Sequence, residues 1–163
     1  INVNTFLTIR IPQIVLDKGI GTAQQASLIL GLMQIMGIVA GTVFSSLVGR
    51  LKDWLLTVSY VIFGLAVIGI AFADNLWVLG LGGMVSGFFY SIVLTIVFSR
   101  ATKALLNKVM TIVLMGCNIG GATSAILPTF LEKLNPTPTG AFGIYAIGCA
   151  LISAGLIYQQ IKK

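Results

Sequence analysis

Six runs of apolar residues, each interrupted by a short polar stretch, set narrow limits on what this chain can fold into. They cover approximately residues 1–16, 25–48, 54–73, 76–99, 109–131 and 140–161. A helix needs about 20 mostly apolar residues to cross a hydrocarbon core ~30 Å thick. Five of the runs reach that length, and the first is short and starts abruptly. In lipid every backbone N–H and C=O must be satisfied within its own segment, so these runs are expected as helices and not strands. The expected fold is all-α: a six-helix integral membrane bundle that forms one domain over residues 1–163.

Composition bears on which functions remain open. The 163 residues are 57% hydrophobic and 9% charged, against roughly 45–50% and about 25% in soluble domains. With a mean hydropathy of +1.03, neither a water-soluble enzyme core nor intrinsic disorder is expected. The net charge of +6 comes from ten Lys/Arg against four Asp/Glu. These bases sit singly or in small groups between apolar runs, so no nucleic-acid partner is expected. The chain has no His, and both of its Cys, Cys117 and Cys149, lie inside apolar runs. That argues against zinc sites with His, hydrolytic triads and a disulfide framework, and no metal or cofactor is expected. The two cysteines read as small packing residues. The chain starts with Ile and shows no charged leader followed by a cleavage site, so it is expected to be a piece of a longer protein.

The loops carry an orientation signal. Those after the second and fourth runs, with the tail, hold Arg50, Lys52, Arg100, Lys103, Lys108, Lys162 and Lys163, whereas the others hold Lys18 and Lys133. The positive-inside rule places the first group in the cytoplasm, with both chain ends inward. Trp54 and Trp77, each at the start of a run, fit the interfacial aromatic belt. The expected setting is a bacterial plasma membrane, with lipid as the surrounding partner.

Between helices in lipid, close contact depends on small residues. The second run has Gly37, Gly41, Ser45 and Gly49 at four-residue intervals, and the fifth has Gly116, Gly120 and Ser124, followed by Pro128. The fourth has Gly83, Gly87 and Ser91, and the sixth Ala146, Ala150 and Ala154. Such stripes serve either as packed seams or as surfaces along which helices slide during transport. The Gly80-Leu81-Gly82-Gly83 run follows no strand and reads as packing, not as a phosphate loop.

Polar side chains at membrane depth are costly and tend to line cavities. Gln34 and Asn118 fall near the centres of the second and fifth runs, and Asn4 lies near a centre if the first run continues upstream. Tyr90 and Ser91 lie slightly inward of centre in the fourth. Each amide either hydrogen-bonds a neighbouring helix, worth about 0.6–2 kcal/mol, or faces a polar path. The third and sixth runs carry no central amide or charge and are expected to face lipid. Arg10 is the charge set within an apolar run. It either reaches outward, about 10 Å along the helix towards Asp17, or contacts an anionic solute. No acidic residue sits at mid-run, so ion coupling through a carboxylate in this chain is not expected.

Six helices with both ends inside, Pro12 before the short Asp17-Lys18-Gly19 loop, and the Gly49-Arg50-Leu51-Lys52 stretch together resemble one half of a major facilitator superfamily transporter. Residues 23–53 resemble the eighth helix of that superfamily and its following loop. The superfamily motif has an Asp where this chain has Ser46, and its leading Gly falls on Thr42, with Gly41 one residue early. Ser46, Gly49, Arg50 and Lys52 are therefore the inner-loop motif positions. The resemblance implies a twelve-helix secondary transporter of which this is the C-terminal half, partnered by an N-terminal six-helix half. Solute would bind at the midplane and move by alternating access. By the same resemblance Asn4, Arg10, Gln34, Tyr90 and Asn118 are the expected substrate-binding residues, with an anionic solute if Arg10 contacts it. The alternatives are a six-helix channel subunit or a membrane scaffold that oligomerises. No enzyme is expected, because nothing in the chain supplies a nucleophile, base or metal set.

Overall fold

Among the described residues six helices form in the order α1 (Asn2–Asp17), α2 (Ala23–Leu51), α3 (Leu55–Ala71), α4 (Leu76–Lys103), α5 (Asn107–Thr123) and α6 (Gly140–Ile161). The computed structural model describes residues 2–51, 54–103, 107–124, 126, 130, 133 and 140–162, and no strand occurs among them.

Local chemistry explains the boundaries. Gly19 adopts φ 61°, in the left-handed region that favours glycine. Ile20 N–H donates to the Val15 carbonyl and Gly19 N–H to that of Leu16, at 3.2 Å each, the paired bonds of a left-handed helix stop. α2 starts two residues before the expected position because Thr22 and Gln25 cap it reciprocally. Thr22 N–H donates to Gln25 Oε1 at 2.9 Å, and Gln25 N–H to Thr22 Oγ1 at 3.3 Å. At its other end α2 runs on to Leu51, so Gly49-Arg50 is the last turn of a helix and not a connecting turn. The Arg50 charge there suits the negative end of the helix dipole. Pro12 likewise lies inside α1 and does not end it. The proline removes one N–H from the ladder, and its ring crowds the Thr8 carbonyl one turn back.

Among the described residues three helices are long and apolar enough to cross a membrane: Ala23–Leu51, Leu76–Arg100 and Phe142–Gln159. Five were expected, and α3 and α5 make up the difference. α3 has 17 residues, about 26 Å of helix and short of a ~30 Å core. In α5 the apolar stretch is Met110–Thr123. Pro128 and its neighbours, expected to prolong it, lie outside the described residues, as does Lys52.

α4 stands at the centre of the packing, with α2 on one side and α3 on another. Along α4, Gly83, Gly87 and the Ser91 hydroxyl meet Ile29, Met33 and Gly37 of α2 in matched four-residue steps, so the two helices run parallel. A Cβ on Gly87 would overlap the Met33 carbonyl, so the glycine stripe of α4 is a packed seam. Gly82 approaches Ile70 of α3, and Tyr90 meets Phe63 with ring centroids 6.3 Å apart, an antiparallel arrangement. α3 then packs on α6, where a Cβ at Gly64 would stand 3.2 Å from Cys149 Cβ. Phe6 of α1 closes the other end of α6 by ring contacts with Phe142 and Tyr145, at 4.9 and 4.7 Å.

α3 packs between α4 and α6 and still keeps an apolar outer face, with Val61, Leu65 and Ile68 exposed. Thr57, Ser59, Gly64 and Ala66 are buried along it, and their small size lets α4 and α6 approach. α6 keeps an outer face with Ile147, Leu151 and Ile161 exposed. At one end of the bundle Lys18 Nζ pairs with Asp74 Oδ1 and donates to the Ala73 carbonyl, both at 2.9 Å, tying the α1–α2 turn to the α3–α4 loop.

Candidate functional site

The gap between α3, α4, α5 and α6 forms a cavity of about 560 Å³, within the ~300–1,000 Å³ range of small-molecule sites. Each helix presents one face to it, at helical spacing. α3 contributes Tyr60 and Phe63, and α4 contributes Tyr90, Val93 and Val97. α5 turns Val113, Gly116, Cys117 and Gly120 inward, and α6 turns Tyr145, Gly148, Cys149 and Ile152. Val3 of α1 completes the lining. Among the described residues no charged side chain takes part. Polar character is confined to three phenol hydroxyls and two thiols.

Gly116 and Gly148 keep the space open: a Cβ at either would meet nothing within 4 Å. Gly116 and Gly120 border a void because α5 lies against α4 and α1 and makes little contact with α6. Ser124 is buried and donates to the Gly121 carbonyl of its own helix. In α2 only Gly37 belongs to a seam. Gly41, Ser45 and Gly49 are exposed, as are Ser46 and Arg50, and a Cβ at Gly41 would meet nothing. Ala146, Ala150 and Ala154 line a smaller lateral groove of about 280 Å³ between α3 and α6.

Of the five expected substrate-binding residues, the cavity takes up Tyr90 alone. Asn4 sits one turn before Leu7 on a largely buried stretch of α1, and its Oδ1 is buried without a partner among the described residues. Arg10 Nη1 donates to Gln13 Oε1 at 3.0 Å, and its guanidinium stands 5.9 Å from the Phe6 ring centroid. Gln34 and Asn118 are exposed on faces of α2 and α5. Around them lie Leu32, Ile35 and Ile38 on one helix, Met115 and Ile119 on the other, all exposed.

The lining residues Tyr60, Tyr145, Cys117 and Cys149 were not expected at a site. A search for amides and charges passes over hydroxyls and thiols, which cost less to bury. The available signal was spacing: Val113, Gly116, Cys117 and Gly120 share one helical face, as do Tyr145, Cys149 and Ile152.

No family profile matches the chain, and comparison with curated proteins and with solved structures likewise found no match. An all-helical bundle with three membrane-length helices borders a half-open, aromatic-lined cavity in which no described residue is charged.

Proposed function

We propose that the chain is the C-terminal six-helix half of a secondary transporter of the major facilitator type, which moves a small solute across the plasma membrane by alternating access. In this reading the base-rich end is cytoplasmic, and an N-terminal six-helix half covers α2 and α5. The observation that carries the proposal is the placement of Gln34 and Asn118. Both are exposed near the middle of apolar helices, on faces that no described residue covers. An amide turned to hydrocarbon at that depth is costly, whereas one facing a watered path or a second helical half is not. Gly41 and Ser45 lie two and three turns further along the Gln34 face and suit close approach of another helix.

The test is uptake into liposomes containing the intact protein, screened over neutral and ionised solutes. Gln34→Ala and Asn118→Ala are each expected to lower uptake about tenfold, with insertion into the bilayer unchanged. If no solute enters faster than into empty liposomes, the transporter reading falls. Equal uptake per inserted molecule would remove both amides from the path.

A further inference from the structure

We propose that the cavity between α3, α4, α5 and α6 binds an uncharged aromatic solute that carries one or two hydrogen-bonding groups. That this solute is also the transported one rests on the transport reading above; that it binds does not.

Three observations define the ligand. First, the described lining residues include no charged side chain, and Asp17 and Asp74, the acidic residues described in the structure, lie in or beside loops. An ionised solute would lose its hydration there without a counter-charge, which makes neutral solutes the class that fits. Second, Phe63 and Tyr90 present rings tilted by 36° with centroids 6.3 Å apart, and aromatic ligands gain from edge and offset contacts with such rings. Third, the Tyr60 and Tyr90 hydroxyls make no hydrogen bond among the described residues. Each offers one donor and an acceptor. A carbonyl, amine or hydroxyl on the ligand pairs with them.

The cavity carries its own reporter, because Cys117 lies in its wall. Alkylation of Cys117 by N-ethylmaleimide, followed by mass spectrometry of the peptide that contains it, reads occupancy without any transport step. The probe is N-phenyl-1-naphthylamine, a neutral aromatic amine, used on the intact protein in liposomes. At saturation it is expected to slow Cys117 alkylation about tenfold, as high occupancy requires. Anionic 8-anilinonaphthalene-1-sulfonate and cationic tetraphenylphosphonium at the same membrane concentration are expected to protect less than twofold. Gly116→Leu and Gly148→Leu extend side chains into open space. Each is expected to abolish protection while the melting temperature stays at or above that of the parent.

Equal or better protection by either ion overturns the neutral-solute assignment. Protection that survives both leucine variants, provided either one folds, places the probe elsewhere and overturns the site. Should neither variant fold, Tyr90→Phe decides, because loss of one hydroxyl must weaken protection if the phenols hold the ligand. Protection without uptake leaves this inference standing and removes the transporter reading. Uptake without protection does the reverse.

Discussion

Arg10 shows how far a single residue can be read from its chemistry. A guanidinium inside an apolar run admits two roles, outward reach or anion contact. The structure places it on Gln13 Oε1 and over the Phe6 ring, away from the cavity lining. Its hydrocarbon stem and planar head suit that position, where ring contact and a hydrogen bond offset part of its desolvation. Arg10→Gln and Arg10→Lys are therefore both expected to keep uptake within about twofold, since one such hydrogen bond contributes only ~1 kcal/mol. Loss of uptake in Arg10→Gln with rescue in Arg10→Lys would return the residue to an anion site. The cysteines make the converse point. Read as inert packing residues, they stand together with three tyrosines in the wall of one cavity. Nothing in the type of a residue says which of its helix faces will be left uncovered.

Among the elements, the small-residue stripes separate into distinct uses that spacing alone does not distinguish. The stripe of α4 is a seam, that of α5 borders the cavity, that of α6 borders a lateral groove, and that of α2 is mostly exposed. The difference has a measurable consequence. Gly87→Ala forces a methyl group into the Met33 carbonyl and is expected to destabilise the bundle by ~1–3 kcal/mol through overpacking. Gly69→Ala, in α3, meets no neighbour and, at a helical position, is expected to be neutral or stabilising by up to ~1 kcal/mol. Thermal unfolding in detergent checks both, and equal melting temperatures would show that the α2–α4 seam is not where the structure puts it. Helix ends were more legible. The Asp17-Lys18-Gly19 stop follows from the conformational freedom of glycine, and the α2 start is written in Thr22 and Gln25, although apolar-run counting passed over that pair.

For the molecule as a whole, the two polar ends differ in sign. Lys18 and Asp74 bridge the end where α1 and α3 finish. Arg50 and Arg100 lie near the ends of α2 and α4, which run parallel and so finish together at the opposite end. In the proposed orientation that basic end is cytoplasmic. Arg50→Cys is expected to react with a membrane-impermeant maleimide only in inverted vesicles, and Asp74→Cys only in right-side-out cells. The reverse pattern would invert the topology and turn the proposed direction of alternating access around.

The number, order and approximate ends of the helices were readable along the chain, because each depends on a local run of apolar residues and on caps within a few positions. The packing of α3 between α4 and α6, the parallel α2–α4 seam and the cavity were not. They depend on which faces of distant helices meet, and an apolar face suits a neighbouring helix, a void or a lipid tail equally well. Only the tertiary arrangement chose among those partners. It did so through the closeness of approach that glycine and serine permit at some positions, and through the absence of any neighbour at Gly116 and Gly148.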